Sequence, residues 1–276
     1  MIRLSIALVT RNRPESLERT LQNLRSQSFQ PFEIVVSDDS DGELAAKTAS
    51  VAKRWNCRYI TGPHRGLYAN RNYSALACRG THIRTMDDDH ILPENHLEQC
   101  FNAVSSDPHS LWTTGEIGYV NGQFFGESKT AQQLCPSGVG EAVENMDNNW
   151  AIADGSTIYP KTVFDRGYRM IEDYKYGSSY LEFGIYLYRH GFRSRCVPNA
   201  YIEHYADSWT IERNDRDTIE SRLYASLCFN LYFQKNPTLA AKYILLYIWL
   251  LKTHENVFVR FPQVFKNVRE RWMSLS

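Results

Sequence analysis

Asp87, Asp88 and Asp89 close an apolar, strand-like run that carries Ile83 and Met86. In an extended chain alternate side chains share a face, so Asp87 and Asp89 point together while Asp88 points away. Two converging carboxylates form part of a Mn²⁺ or Mg²⁺ site, with water and phosphate oxygens completing the coordination. At the carboxyl end of a strand in an open α/β sheet, such a pair lies where these sheets bind ligands. The triplet also reads as a solvated acidic turn or a helix cap, because Pro93 and Glu94 follow as in a first helical turn. A second acidic stretch, with Asp38, Asp39 and Asp41, follows the apolar residues 34–36, and Thr10-Arg11-Asn12 ends the first apolar run. Parallel neighbouring strands would bring all three ends to one rim. A hydroxyl, a guanidinium, an amide and several carboxylates there suit a nucleoside diphosphate: carboxylate to base or ribose, metal and arginine to phosphate.

The elements that must position these groups are legible in the pattern. Leu4, Ile6 and Leu8 alternate as in a strand, and Pro14 opens a helix with Leu17, Leu21 and Leu24 on one stripe. Residues 33–36 read as a buried strand and 37–42 as a turn. Ala45 to Trp55 is helical in pattern, 58–61 a short strand, 67–78 a helix, and 81–86 the strand leading to the aspartates. This alternation predicts an α/β fold, Rossmann-like, with a mainly parallel sheet flanked by helices and right-handed crossovers. From residue 110 the regularity fades into a glycine-punctuated stretch up to Trp150. Residues 180–190 then read as a helix ended by Gly191 and 196–202 as a strand ending at Glu203-His204. Residues 216–235 and 238–252 read as helices.

Bulk properties narrow the function classes. The 276 residues carry no net charge, with a sequence pI near 7.1, which argues against nonspecific nucleic-acid binding. The charge is uneven: residues 211–276 hold 10 Lys+Arg against 6 Asp+Glu. The six cysteines show neither a C-x-x-C nor zinc spacing, and the amino terminus lacks a signal-peptide pattern, so a cytoplasmic setting is expected. The apolar run 243–251 is too short to span a bilayer. Tyr243, Leu246, Tyr247, Leu250 and Leu251 still form a stripe, followed by Lys252, Arg260, Lys266, Arg269 and Arg271. Such a segment packs on the preceding domain, lies peripherally at the inner face of a membrane, or joins a homodimer. The charged residues 213–216 read as a solvated face. There is no G-x-G-x-x-G, no G-x-x-x-x-G-K-[ST] and no G-x-S-x-G, and an EF-hand loop around Gly42 would lack both terminal carboxylates.

"SIALVTRNRPESLERTLQNLRSQSFQPFEIVVSDDSDG", "RGLYANRNYSALACRG" and "TMDDDH" together resemble the donor-binding half of the family 2 glycosyltransferases, which have the GT-A fold. A weaker resemblance continues through "WAIADGSTIYPKTVFDRG", "YLEFGIYLYRHGFR" and "VPNAYIEHYADS". It implies a catalytic domain over 1–210, with a nucleotide-sugar half at 1–110 and an acceptor half at 111–210, and a C-terminal helical extension over 211–276. The implied activity is metal-dependent transfer of a sugar, with inversion, from a UDP-, dTDP- or GDP-sugar to a hydroxyl of a saccharide or lipid-linked acceptor. Polysaccharide or glycoconjugate synthesis is the implied setting.

Residue by residue, the resemblance implies that Thr10, Arg11 and Asn12 line the nucleotide pocket. Asp38 or Asp39 would accept from the base, and Arg71 would face the nucleotide or its phosphates. Asp87 and Asp89 would form the D-x-D metal motif, with His204 as a further metal or diphosphate contact. The acidic pair expected before the helix at 180 is replaced by Ser179 and Tyr180. Glu182 therefore becomes the expected base, with Asp173 or Glu172 as alternatives. A nucleotidyltransferase of similar fold would want a glycine-rich loop after the first strand, which Thr10-Arg11-Asn12-Arg13 does not supply. A nucleotide-binding module without turnover remains the non-enzyme reading.

Overall fold

The computed structural model describes residues 1–174, 176–206, 216–251 and 257–273. The first half alternates strands and helices in the order β1 (Leu4–Thr10), α1 (Pro14–Ser26), β2 (Glu33–Asp38), α2 (Gly42–Arg54), β3 (Arg58–Thr61), α3 (Leu67–Ala77) and β4 (His82–Asp87). Then come β5 (His90–Ile91), α4 (His96–Ser106), β6 (Leu111–Val120), β7 (Gln123–Ser128), β8 (Gln132–Leu134) and β9 (Gly140–Ala142). The remainder comprises β10 (Ile158–Pro160), α5 (Thr162–Asp165), α6 (Ser179–Arg189), β11 (Ser194–Ala206), α7 (Arg216–Leu227), α8 (Pro237–Leu251) and α9 (Val257–Met273). A π-helical segment, Cys228–Phe233, continues α7.

The main sheet runs β3-β2-β1-β4-β10-β6-β11-β5, with β7 paired to β6. Strands β1 to β4 pair in parallel, whereas β10 joins β4 and β6 antiparallel. Register places Thr10 opposite Asp38 and Val9 opposite Asp87, so the chemistry-bearing ends share one rim. The antiparallel pairing of His204 with His90 carries the end of β11 to that same rim.

Separate apolar cores fill the two faces of the sheet. One joins α1, α2 and α4 to β1, β2 and β4 through Leu17, Leu21, Leu24, Ile34, Met86 and Leu97. Leu17, Leu21 and Leu24 are fully buried, as the stripe on α1 required, each worth roughly 1.5–3 kcal/mol. The other core gathers α3, α6, α7 and α9 around Tyr68, Tyr159, Phe183, Tyr224 and Trp272. Thus α7 and α9 share one core with α3 and α6. On α8, Tyr247 is buried, while Leu245, Leu246 and Trp249 face outward, so Leu246 departs from the expected stripe. Among the described residues, no helix is long and apolar enough to cross a membrane. The expected boundary at 210 and the charged residues 213–215 lie outside the described residues, as does Lys252.

Candidate active site

A cavity of about 1290 Å³ opens over the strand rim. Thr10, Arg11 and Asp39 line it from the amino-terminal half, and Asp87 and Asp89 lie in its floor. Thr10 also donates through Oγ1 to Asp88 Oδ2 at 2.5 Å. Asn12 is turned away: its positive φ of 59° reverses the chain, and its N–H donates to Ser40 Oγ at 2.6 Å. Arg13 takes the place beside the cavity instead, donating to Asp89 Oδ2 at 2.8 Å and pairing with Asp88. Asp38 is inside the fold, accepting from Ser40 N–H at 2.8 Å and Tyr59 O–H at 3.0 Å. Asp39 is therefore the member of this pair left on the wall, and its Oδ1 accepts from His64 N–H at 2.9 Å.

The aspartate triplet divides as strand alternation predicts. Asp88 points into the fold, where its backbone oxygen accepts from Ser16 and Thr20 of α1. Asp87 and Asp89 face the cavity with different partners. The Arg71 guanidinium, only 1% exposed on α3, donates to both Asp87 oxygens at 2.6 and 2.8 Å and also pairs with Asp154. Arg71 was expected to face phosphate. The structure corrects this: a nearly enclosed cation is held by carboxylates on either side, and it fixes Asp87. Asp87 stays ionised, because the Arg71 guanidinium outweighs the burial that would raise its pKa.

Asp89, His90 and His204 form a cluster whose ligand atoms all lie within 4.8 Å of one another. His204 Nε2 lies 3.6 Å and His90 Nε2 3.8 Å from Asp89 Oδ1, and the two imidazoles meet edge to face with centroids 4.9 Å apart. Both ring nitrogens of buried His90, and Asp89 Oδ1, lack hydrogen-bond partners. Burial lowers the His90 pKa, which keeps its imidazole neutral as a metal ligand must be. For His204 burial also acts downward, but the carboxylates of Asp89 and Glu116 prevail and raise its pKa to about 10. Glu116 accepts from His204 Nδ1 at 2.9 Å, an outer-shell arrangement typical of metal-bound histidine. One carboxylate and two imidazoles, with ligand atoms this close together and those of His90 unpartnered, fit a divalent cation.

The acceptor side departs furthest from expectation. Glu182 is fully buried on α6 and its Oε1 accepts from Arg271 Nε at 3.1 Å. Burial raises its pKa against that cation. Enclosed beneath α9, it does not line the cavity, so the expected base is out of reach of an acceptor. Glu172 accepts from Asn72 Nδ2 at 3.0 Å and pairs with Arg65 at 3.1 Å, and Asp173 is exposed; neither reaches the cavity wall. Tyr176 and Tyr180 occupy that wall. The carboxylate delivered there is Asp154, 35% exposed. Gly155 beside it has φ 78° and no room for a Cβ, which would stand 2.8 Å from His90 and 2.9 Å from Asp87 Oδ2, so this loop presses onto those two side chains. Arg13, His90, Glu116 and Asp154 were all missed. His90 directly follows the triplet, and an Asp-Gly pair amid apolar residues was the available signal for Asp154.

Residues 5–130 match the sequence model of the family described as "Glycosyl transferase family 2". This segment belongs to glycosyl transferase family 2. The fold agrees: the glycosyltransferase domain is GT-A, a curled, mainly parallel sheet flanked by helices. It is similar to the crystal structure of GalNAc-T7 with UDP, GalNAc and Mn²⁺ at a TM-score of 0.69 and 15% identity, covering 99% of this chain and 58% of that one. It is also similar to residues 1–349 of TarS from S. aureus in complex with UDP, at 0.62 and 15%, covering 98% and 80%. A longer TarS structure from S. aureus gives 0.60 and 14%, covering 92% and 44%. The chain thus spans little more than half of the first of these proteins and less than half of the longer TarS. No curated protein matches it by sequence.

Proposed function

We propose that this glycosyltransferase domain moves a sugar from a UDP-sugar to an acceptor hydroxyl, with a divalent cation held by Asp89, His90 and His204. The observation that carries this reading is the Asp89–His90–His204 cluster, of which Asp89 and His204 line a cavity shared with Thr10, Arg11 and Asp39. UDP in two of the similar structures supports the choice of nucleotide. When bound, such an ion would neutralise the departing diphosphate.

The chain's own residues supply the rest. Asp39 orients the base, and Arg11, exposed at the rim, meets the phosphates. Arg71 locks Asp87 and Asp154 in fixed positions. Asp154 accepts the proton of the acceptor hydroxyl as the sugar transfers with inversion in one displacement. The cavity exceeds the 300–1000 Å³ common for small-molecule sites, which leaves room for a saccharide or lipid-linked acceptor and fits polysaccharide or glycoconjugate synthesis. The division near residue 210 is retained, with α7 completing the site.

Calorimetric titration of UDP, dTDP and GDP in the presence of Mn²⁺ tests this reading. UDP binding that Asp89→Ala abolishes is expected; no nucleotide binding, or binding indifferent to Asp89→Ala, removes it. Proton NMR of the product fixes the anomeric outcome. The enclosure of Glu182, with Ser179 and Tyr180 at the start of α6, favours a second reading: a nucleotide-binding module without turnover. Slow hydrolysis of a UDP-sugar would exclude that module.

A further inference from the structure

The cavity is rich in carboxylates: Asp39, Asp87, Asp89, Glu116, Glu127 and Asp154 all line it. Of its arginines, Arg13 is paired with Asp88 and Asp89, and Arg65 with Glu172. Arg222 differs. It reaches the wall from α7, its Nε is buried without a hydrogen-bond partner, and among the described residues it has no carboxylate within ion-pairing distance. Arg11, the other unpaired arginine, is exposed at the nucleotide wall, so the two mark different elements of the site.

The position of Arg222 is fixed with unusual tightness. Gly138, at φ 84°, packs so closely that an added Cβ would stand 2.0 Å from the Arg222 carbonyl oxygen. Four residues further along the helix, Ser226 Oγ donates to Pro136 O at 2.7 Å. On the other side Ser221 Oγ accepts from Ser179 N–H at 2.8 Å, and Gly177, at φ 93°, leaves no room for a Cβ against it. Helix α7 is therefore pinned between the turn at 135–138 and the loop at 177–179, and it presents Arg222 at the seam. A neutral sugar is bound by carboxylates, amides and aromatic faces and needs no such cation. A guanidinium on a helix so held, without a counter-charge among the described residues, suits an oxyanion.

We propose that Arg222 binds a negatively charged oxygen group, phosphate or carboxylate, on the acceptor, so that the preferred acceptor is an anionic saccharide or polyol. This deepens the reading given under Proposed function and rests on it for the word acceptor. The probes are matched pairs, sn-glycerol 3-phosphate against glycerol and glucuronate against glucose. They are titrated into the protein with and without saturating UDP and Mn²⁺.

With UDP bound, the charged member of a pair should bind at least tenfold more tightly than its neutral partner. Arg222→Ala and Arg222→Met should remove that preference, Arg222→Lys should keep part of it, and UDP affinity should stay within twofold. Arg222→Met keeps the apolar stem, and its melting temperature reports folding. Equal binding of charged and neutral probes overturns the proposal, as does a charged probe that displaces UDP, or a loss of UDP affinity in Arg222→Met. Should UDP itself fail to bind, the donor reading falls; an Arg222-dependent preference for charged probes in the nucleotide-free protein still supports the anion site, and its absence overturns it.

Discussion

Arg271 on the last helix donates to Glu182 on α6 at 3.1 Å, across 89 positions of sequence. The same guanidinium donates to the Arg169 carbonyl at 2.8 Å and stacks on Tyr186 at 3.7 Å. One residue of α9 thus fastens that helix to α6 and to the segment at Arg169. Breaking a buried pair costs about 3–5 kcal/mol because the surviving partner is stranded. Arg271→Ala should lose about that much in urea denaturation, and Glu182→Leu with Arg271→Met should recover part of it. Turnover in Glu182→Gln should persist, which separates an enclosed structural carboxylate from a base.

Asp154→Asn should lower kcat by about 10²–10⁴-fold, the usual worth of a positioned base, while KM for the donor changes little. The amide still bonds Arg71, so the loop keeps its place. The acidic limb of the pH–rate profile should vanish with the carboxylate. A limb unchanged in Asp154→Asn would assign the base elsewhere.

Cation affinity should depend on pH through His204. Its pKa is raised to about 10 by Asp89 and Glu116 against the effect of burial, so at neutral pH a metal must displace its proton. Mn²⁺ affinity measured by calorimetry should therefore climb by up to about tenfold per pH unit between pH 6 and 9. His204→Gln should bind more weakly and with a flatter dependence.

Stability should fall in mild acid through His96, which is 1% exposed. Burial, reinforced by the enclosed Arg84 cation, holds its pKa well below 6.5. The unfolded chain takes up a proton near pH 6.5 while the folded chain does not. The stabilisation is complete above that value and is lost as pH falls towards the folded pKa, at up to about 1.4 kcal/mol per unit. Urea midpoints between pH 7.5 and 5 should show this slope, and His96→Gln should reduce it.

The sequence by itself determined the alternating half of the fold and the edge on which the chemistry gathers. Strand alternation, the Leu17-Leu21-Leu24 stripe and acidic residues at strand ends are local patterns, and backbone geometry turns them directly into faces and rims. It placed Thr10, Arg11, Asp39, Asp87, Asp89 and His204 around a common opening. Only the tertiary structure decided what each charge does there. Arg71, Glu182 and Asp38 have the right chemistry for a site, yet burial against Asp154, Arg271 and Tyr59 commits them to holding it together. Asp154 and Arg222 reach the cavity, and His90 meets His204 behind it, through packing between segments far apart in the chain. Pairing and enclosure at that range follow from how whole elements dock, which no local periodicity encodes.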